Sequence, residues 1–535
     1  MSRNYSWSQQ WSAKALGIVL PLFLLVAACA GGSSTTSLGT GSFTIGTTGL
    51  FVTHFIAGRT GDSNLDYAIW TPLTVIEPAT GKLVNAIAES FQSTDEKVWT
   101  IKLKHGWTFW NGETVTAQSF ADSWNTTAYG PNGWFQGFSF NIFEGWTDLN
   151  PSSGTPKTKA MSGVKVVDQY TLQVTLTRAF SLLPYLLSGT IFAPLPKEAL
   201  TDLDAFDKKP IGDGPYEVTG PPYSAGVTSI SYKRYDNYAG TKGNAKSFTA
   251  KVFQDPTATY TALQGGQIDV ALVEGSDVAR AASAYPSRFK AVTSPAVVYL
   301  GFPLWDKRFN DPAVRQAFSM AIDRQAIVKA ILQGYGVAAT GFAPASITGG
   351  GGSDCTSCTF NPSQAKQLLQ AAGGWHGSLS LWTYTDPTND PVLQAISNQL
   401  RTNLGITDIS LQSQPVGQIY TNLSGHKVDG PFLLYTGAAY PHVYAMADSL
   451  FSIGSFLNTT GYKSQDFGTA LAKAASDNSS SAVVQDTHAA GKIALKDLPL
   501  APIFYPQLGL VWSSHVGNVQ GEYLGGAHIA SITTS

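Results

Sequence analysis

The sequence predicts an α/β fold whose folded part is divided into two or three lobes. Residues 257–263 have helical spacing, Gly265 and Gly266 end that helix, and the pattern of residues 268–273 predicts a strand directly afterwards. Such alternation of helix and strand is typical of α/β lobes. The chain has 535 residues, more than one ordinary domain holds, and 43% of them are hydrophobic, which is enough for sizeable cores.

Charged side chains are scarce in this chain. They make up 13% of the residues, against roughly 25% in typical globular proteins, and the formal net charge is −2. Ser, Thr, Gln, Asn and Gly must therefore supply much of the polar surface. A partner held mainly by charge, such as nucleic acid, is not expected.

The N-terminal segment predicts export and lipid anchoring. Arg3 and Lys14 precede an uncharged run, residues 15–28, that ends in small residues directly before Cys29. This pattern indicates a signal peptide over residues 1–28, and its end resembles a bacterial lipobox, which implies cleavage before Cys29 and diacylglycerol on its sulfur. An ordinary signal peptide with an incidental Cys is the alternative. A membrane span is disfavoured because a bilayer core of ~30 Å needs about 20 residues.

The segment that follows Cys29 predicts a flexible tether. Residues 29–42 are rich in Gly, Ser and Thr and poor in apolar side chains, as flexible linkers are. We therefore expect the mature protein on the outer face of the cytoplasmic membrane, in the periplasmic or extracellular space, held by lipid.

Two further cysteines, Cys355 and Cys358, form a C-x-x-C pair beside a Gly-rich stretch. The sequence contains no second Cys pair and no His cluster that would complete a zinc site. In an exported chain, the pair therefore predicts a small structural disulfide. No metal and no cofactor are expected.

Several elements can be placed from alternation and capping residues. Residues 43–47, 97–103 and 171–176 alternate as strands do. Asn310 or Asp311 is expected to cap a helix that begins at Pro312 and ends at Gly334. A second helix is expected to begin after Asn361 and to end at Gly373.

Five stretches, taken in order, resemble one family: the family-5 extracellular solute-binding proteins of ABC importers, the peptide/nickel group. In the first stretch, Gly112 makes a turn, and Thr116 caps a helix that carries Phe120 and Trp124. The second contains the P-x-G-x-G-P-Y pattern that ends at Tyr216. The stretches comprise residues 104–117, 210–216, 263–270, 311–334 and 361–373.

The resemblance implies a two-lobed, periplasmic-binding-protein-like fold of type II that closes on a ligand by a hinge. Lobe I is expected to comprise residues 43–72, 202–299 and 502–535, with an extra subdomain over residues 73–201. Lobe II is expected over residues 300–501. Two crossing strands, near residues 299–304 and 503–507, would form the hinge, which makes Tyr505 a candidate ligand contact.

Aromatic side chains supply further candidates for the cleft between the lobes. Trp134 and Phe135 lie in a stretch rich in Gly and aromatics, which is either core of the subdomain or lining of the cleft. Trp382 and Tyr384 lie on a predicted buried strand whose C-terminal end would face the cleft; otherwise they pack in the lobe.

The segment around residues 433–442 bears on selectivity. In peptide-binding relatives, the resemblance implies an Asp here that pairs with the ammonium of the ligand. This chain has Ala438 and Ala439 instead, with no carboxylate before Asp448. We therefore expect no preference for a free amine over a blocked one, unless a carboxylate from elsewhere in the chain substitutes. His442 is either a ligand contact or an exposed loop residue, and we favour exposure. Backbone and aromatic contacts to a ligand are expected from Tyr435, Thr436, Gly437, Ala438, Ala439 and Tyr440.

The resemblance therefore implies the substrate-binding subunit of an ABC importer, a monomer that captures oligopeptides or similar solutes and delivers them to a membrane permease. An oligosaccharide is the alternative ligand. An exported hydrolase is the alternative of another class, but the sequence has no G-x-S-x-G, H-E-x-x-H or phosphate-loop motif. We predict a binding protein and not an enzyme.

Overall fold

The computed structural model describes residues 39–48, 54–60, 65–78, 80–224, 226–523 and 525–535. The signal segment and Cys29 lie outside the described residues, so the prediction of a lipid anchor stays a prediction. Among the residues described, no helix combines the length and the apolar character that crossing a bilayer requires.

The N-terminal part of the described chain contributes one strand and two short helices. They are β1 (Ser42–Thr48), α1 (Ala57–Thr60) and α2 (Asp66–Ile69). The alternation predicted around residues 43–47 is thus a strand. Phe43 and Ile45 are buried on one face of it, as a half-buried strand requires.

A subdomain follows, built on a four-stranded antiparallel sheet in the order β4-β5-β7-β6 and a separate β2-β3 hairpin. Its core holds Trp124 against Phe120, Phe143 and Phe192. Its elements are β2 (Thr74–Ile76), β3 (Leu83–Asn85), β4 (Ala88–Gln92), β5 (Val98–Leu103), α3 (Ala117–Ala128), α4 (Trp146–Leu149), β6 (Val164–Asp168), β7 (Thr171–Thr175) and α5 (Leu183–Leu186).

The chain then returns to the strands beside β1. The segment comprises α6 (Leu203–Lys208), β8 (Tyr216–Thr219), β9 (Ser229–Arg234), β10 (Ser247–Phe253), α7 (Pro256–Gln264), β11 (Val270–Val273), α8 (Ser276–Ala284) and β12 (Phe289–Thr293). β1 pairs in parallel with β10 and β11. We call this side of the molecule, with the subdomain, lobe I.

Lobe II alternates strands and helices. It comprises β13 (Ala296–Gly301), α9 (Pro312–Met320), α10 (Arg324–Ala330), β14 (Gly336–Ala338), α11 (Pro362–Ala371), β15 (Leu379–Tyr384), α12 (Asn389–Leu404), β16 (Ile409–Gln414), α13 (Val416–Ser424), β17 (Phe432–Gly437), α14 (Val443–Phe451), α15 (Gln465–Ser476) and α16 (Ser480–Asp497). The chain ends with β18 (Leu500–Trp512), β19 (Val516–Gly517) and β20 (Thr533–Thr534).

β18 belongs to both lobes. Its first residues pair with β13 of lobe II, and its last residues pair with β11 and β12 of lobe I. The second connection lies between β12 and β13, where the amide of Ser294 donates to the carbonyl of Pro506 at 2.9 Å. The lobes are thus joined at Ser294-Pro295 and near Pro506.

Residues 503–507, predicted as one crossing strand, lie within β18, and residues 299–304, predicted as the other, begin within β13. The lobe boundaries themselves stay a prediction. β13 already pairs with β17 of lobe II from Ala296 onward. Every residue of β13 is buried, and a strand buried on both faces carries no alternation from which its start can be located. β13 thus begins to pair with β17 about four residues before residue 300, the expected start of lobe II.

Helix caps behave largely as predicted. The carboxylate of Asp311 accepts the amide of Ala313 at the start of α9, and Asn361 caps α11. The single helix expected from Pro312 to Gly334 is instead two helices. Asp323 Oδ1 accepts the amide of Ala326 at 2.9 Å and starts α10 as a new cap, because an Asp side chain competes for backbone amides.

Cys355 and Cys358 form a disulfide in the structure, the pairing that the sequence predicts. Both residues are buried. The guanidinium of Arg324 donates to the carbonyl of Cys358 at 2.9 Å and to that of Pro502 at 2.6 Å. The disulfide loop is thereby connected to β18.

Candidate ligand-binding site

A cavity of about 500 Å³ lies between the lobes. Lobe I supplies the ends of β1 and β11, lobe II supplies the end of β15 and part of β17, and the crossing strands form its base. Ligands of open α/β sheets bind at the carboxyl ends of strands, which is where this cavity lies. Its lining includes Thr47, Thr48, Leu65, Thr259, Glu274, Gly275, Ser294, Val298, Tyr335, Tyr384, Asp386, Thr388, Asn389, Tyr435, Phe504, Pro506, Gln507 and Leu508.

Two tyrosines place phenol groups at the cavity. The hydroxyl of Tyr435 lies 3.1 Å from that of Ser294, so lobe II and the connection between the lobes are bonded here. Burial raises the pKa of Tyr384 to about 12 and also raises the pKa of Tyr435. Both phenols are therefore protonated at neutral pH and can donate a hydrogen bond to a ligand acceptor.

Two carboxylates line the cavity, one from each lobe. Glu274 follows β11 directly, and Asp386 follows β15 by two residues. Asp386 Oδ1 accepts the amides of Thr388 at 2.8 Å and Asn389 at 3.0 Å, which fixes its position at the start of α12. Partial desolvation in the cleft, and then the negative charge of Asp386, raise the pKa of Glu274, although the residue as a whole stays exposed to solvent. Among the described residues of the lining, these are the charged side chains, and both are acidic.

The lobes contact each other at the edge of this cavity. A Cβ built on Gly275 of lobe I would lie 2.9 Å from Thr388 Oγ1 of lobe II. Further away, Phe135 of the subdomain packs edge-on against Phe456 of lobe II, with ring centroids 6.3 Å apart. The two lobes are thus in contact at two separate places.

The subdomain also contacts the helices of lobe II. The amide of Ser181 donates to the carbonyl of Ala475 at 2.8 Å, and the guanidinium of Arg178 donates to the hydroxyl of Tyr444 at 3.3 Å. These contacts would have to separate in any opening in which the subdomain moves with the rest of lobe I.

Of the predicted ligand contacts, the structure brings Tyr384 and Tyr435 into the cavity. Trp382 donates its indole N–H to Asp429 at 3.0 Å, and the hydroxyl of Tyr505 donates to the carbonyl of Gly341 at 2.9 Å. The predicted contacts that do not line the cavity are Trp134, Phe135, Trp382, Thr436, Gly437, Ala438, Ala439, Tyr440 and Tyr505.

The segment after Tyr435 turns away from the cavity for a structural reason. The amide of Ala438 donates to the carbonyl of Pro295 at 2.9 Å and is thus already used. Thr436 and Tyr440 are buried within the protein. Ligand contacts along this segment stay a prediction; in the structure, β17 pairs with β13 as far as Gly437 and directs its backbone bonds there.

The expectation that His442 is exposed is wrong. Its relative exposure is 0%, and its Nδ1 accepts the amide of Tyr444 at 3.1 Å as the cap of α14. The ring packs edge-on against Tyr185 of the subdomain, with centroids 5.1 Å apart. Burial lowers the pKa of His442 to about 4, so the imidazole is neutral in the folded protein.

Glu274 and Asp386 line the cavity but are not among the residues predicted from the sequence. The rule that placed Tyr384 at the cleft, that strand ends face it, applies equally to the strand that ends at Val273. Glu274 and Gly275 follow that strand directly. The same signal is thus present in the sequence of both lobes.

A second cavity, of about 700 Å³, lies within lobe I, where residues between 67 and 107 meet residues 215, 238–244 and 518–531. Its described lining comes from one lobe only. Lobe closure would therefore not enclose a ligand there, and the cavity between the lobes is the better candidate site.

A family model described as bacterial extracellular solute-binding proteins, family 5 middle, matches residues 82–457. The chain belongs to this family. The prediction of a family-5 solute-binding protein of ABC importers, made from five motifs, is thereby confirmed. Members of the family are binding proteins located in the periplasmic or extracellular space.

Curated relatives of this family-5 protein include two from enteric bacteria. The dipeptide-binding protein of Escherichia coli K12 is 28% identical over 347 residues, which are 61% of this chain and 62% of that protein. In this alignment the chain thus spans less than two thirds of that relative. The glutathione-binding protein GsiB of Salmonella choleraesuis is 26% identical over 464 residues, 83% of this chain and 84% of that protein.

Solved structures confirm the fold. The murein tripeptide binding protein MppA of Escherichia coli superimposes with a TM-score of 0.77 at 19% identity, covering 93% of this chain and 99% of that one. The oligopeptide-binding protein AppA of Bacillus subtilis, solved in complex with a nonapeptide, gives a TM-score of 0.72 at 20% identity with the same coverage. The two-lobed, periplasmic-binding-protein-like architecture is therefore that of this family-5 protein.

Proposed function

We propose that this family-5 protein captures short peptides or peptide-like solutes in the cavity between its lobes and delivers them to the permease of an ABC importer. The observation that carries the proposal is the cavity itself, which both lobes and both connecting strands line. A ligand there contacts both lobes at once. It therefore stabilises the closed form, since a ligand shifts a conformational equilibrium by its differential affinity for the two states.

Cavity size and lining support a small solute of mixed character. The volume, about 500 Å³, falls in the lower part of the roughly 300–1,000 Å³ that small-ligand pockets occupy. The lining combines aliphatic side chains with tyrosine and serine hydroxyls and the amides of Asn389 and Gln507. Such a surface suits the alternating polar backbone and apolar side chains of a peptide. The relatives named for dipeptides, glutathione and murein tripeptide support the same class.

The proposal includes no chemistry on the solute. Two carboxylates in one cavity are also what a glycoside hydrolase uses as acid and base. Here Asp386 accepts two backbone amides at the start of α12, which gives it a local structural role. This role argues against a hydrolase. Cleavage of the solute is nevertheless one of the outcomes that the binding experiment below can detect.

The experiment is native mass spectrometry of the purified protein with two defined pools, one of di- to tetrapeptides and one of neutral oligosaccharides. We expect the protein to retain members of the peptide pool at unchanged mass. Retention of oligosaccharides alone would show that the ligand is a sugar and not a peptide. Release of cleaved pool members would show hydrolysis and contradict a binding protein.

A further inference from the structure

We propose that Glu274 and Asp386 make the cavity selective for an organic cation, so that an ammonium group of the ligand lies between a carboxylate of lobe I and a carboxylate of lobe II. This inference rests on the proposed function and names the charge that its ligand carries. It concerns a subsite formed by the two lobes together and not the turn at Ala438 and Ala439.

The first argument is position. Glu274 directly follows the strand β11 of lobe I, and Asp386 follows the strand β15 of lobe II by two residues. Their neighbours meet, because Gly275 lies against the hydroxyl of Thr388. Both carboxylates line the same cavity. A group bound between them therefore contacts both lobes.

The second argument is charge balance. The described lining of the cavity contains no Lys, Arg or His to pair with either carboxylate. Two like charges that line one cavity repel each other, although solvent screens the repulsion at Glu274, which is exposed. Partial desolvation and the charge of Asp386 raise the pKa of Glu274. A ligand cation supplies the missing positive charge, whereas a ligand carboxylate would add a third negative one.

The third argument is that the alternative position for an ammonium group is closed. At Ala438 and Ala439 no side-chain carboxylate is available, and the amide of Ala438 is bonded to Pro295. Asp448, the next carboxylate along the chain, lies outside the cavity lining and accepts the hydroxyl of Ser452. The absence of an Asp in this turn therefore does not remove recognition of a cation from the protein.

A consequence follows for the motion of the lobes. Closure brings Glu274 and Asp386 to the same cavity, so their repulsion opposes closure when no cation is bound. A cation converts this repulsion into two attractions that exist only in the closed form. The pair thus couples ligand charge to closure, which is the differential interaction that a ligand-driven conformational change requires.

The binding test uses tri- and tetrapeptides in free and N-acetylated forms, together with a set of primary amines and a set of neutral sugars. At about pH 7, most free α-amines, with pKa values of about 7.7–8.0, are protonated. We expect acetylation to weaken binding about tenfold or more, the size of one charge-assisted hydrogen bond. Glu274→Gln and Asp386→Asn should each reduce this preference several-fold.

Asp390→Asn is the matched control. Asp390 lies on α12 one turn beyond Asp386, bonds Ser413 and does not line the cavity. Loss of this carboxylate should leave the preference for free over N-acetylated peptides unchanged. Equal binding of free and acetylated peptides, or a preference that survives Glu274→Gln, would overturn the proposal while peptide binding stands. Retention of primary amines without any peptide would support the cation subsite and overturn the peptide function.

A second measurement needs no ligand. Spin labels carried by Ser283→Cys on α8 and Thr469→Cys on α15, both exposed positions, report the distance between the lobes by pulsed electron paramagnetic resonance. We expect Glu274→Gln to increase the closed fraction of the unliganded protein, because it removes the repulsion. An unchanged or smaller closed fraction, compared with Asp390→Asn, would contradict the coupling of charge to closure.

Discussion

Gly275 of lobe I and Thr388 of lobe II meet at the edge of the cavity, where a Cβ on Gly275 would lie 2.9 Å from Thr388 Oγ1. The backbone of Gly275 has φ 57° and ψ −132°, a region that is almost restricted to glycine. Both the close approach and the dihedral angles therefore require glycine at the point where the lobes touch.

We predict that Gly275→Ala weakens lobe closure and lowers the free energy of unfolding by about 1–3 kcal/mol, the usual range for a strained backbone position. Gly266→Ala is the matched control, because Gly266 also has a positive φ, 67°, but no atom lies within 4 Å of a Cβ built there. Urea unfolding should show a loss for both variants. The lobe-to-lobe distance should change for Gly275→Ala alone, and a change of the same size in the control would contradict the role of the contact.

A second contact between the lobes involves exposed aromatics. Phe135 of the subdomain is 66% exposed and packs edge-on against Phe456 of lobe II. Aromatic pairs contribute about 0.5–1.5 kcal/mol beyond their buried area. We therefore predict that Phe135→Ala shifts the equilibrium several-fold toward the open form, measured by the same spin labels.

Phe138→Ala is the control for that variant. Phe138 is 51% exposed and packs on Trp146 of its own subdomain. The Phe138→Ala substitution removes a similarly exposed ring but leaves the contact between the lobes in place. If both variants open the protein equally, the Phe135–Phe456 contact does not stabilise closure.

Most of the fold, but only part of the candidate site, could be predicted from the sequence. Local signals such as the cap at Thr116 and the strand end at Tyr384 are encoded within a few residues, and the structure places them as predicted. The split between α9 and α10 depends on Asp323, which is visible in the sequence but competes with a strong helical pattern. The contact of Phe135 with Phe456 joins residues far apart in the chain, so neither spacing nor composition identifies it.

The disulfide leads to a prediction about thiols and stability. Thiol counting on the non-reduced mature protein without its N-terminal Cys29 should find no free thiol, since Cys355 and Cys358 are bonded in the structure. The bond closes a short loop, so the double variant Cys355→Ser, Cys358→Ser should lose stability toward the low end of the 0–5 kcal/mol range of disulfides. Two free thiols under oxidising conditions would contradict the pairing.

The lipid anchor leads to a prediction about localisation. If diacylglycerol is attached to Cys29, the mature protein should fractionate with membranes and carry an acylated N-terminal Cys29 in mass spectrometry. Cys29→Ala should release the protein into the soluble fraction. A variant that stays equally membrane-bound would show that Cys29 is not the anchor.

His442 gives a prediction about stability and pH. Its pKa falls from an ordinary value of about 6.5 to about 4 because the ring is buried, so the unfolded chain binds a proton that the folded protein excludes. Stability from this group is present above about pH 6.5 and is lost as the pH falls toward about 4. The full effect is of the order of 3 kcal/mol.

His442→Gln should therefore flatten the loss of stability between about pH 6.5 and about pH 4, measured as urea unfolding at a series of pH values. The amide side chain keeps a hydrogen-bond acceptor for the Tyr444 amide but takes up no proton in this range. His488→Gln provides the contrast. Asp354 accepts a hydrogen bond from the His488 ring and raises the pKa of His488. Protonation of this ring therefore stabilises the folded protein at low pH. Replacing His488 by Gln should steepen the loss of stability on acidification. An acid transition that His442→Gln leaves unchanged would show that the buried imidazole is not the group that titrates.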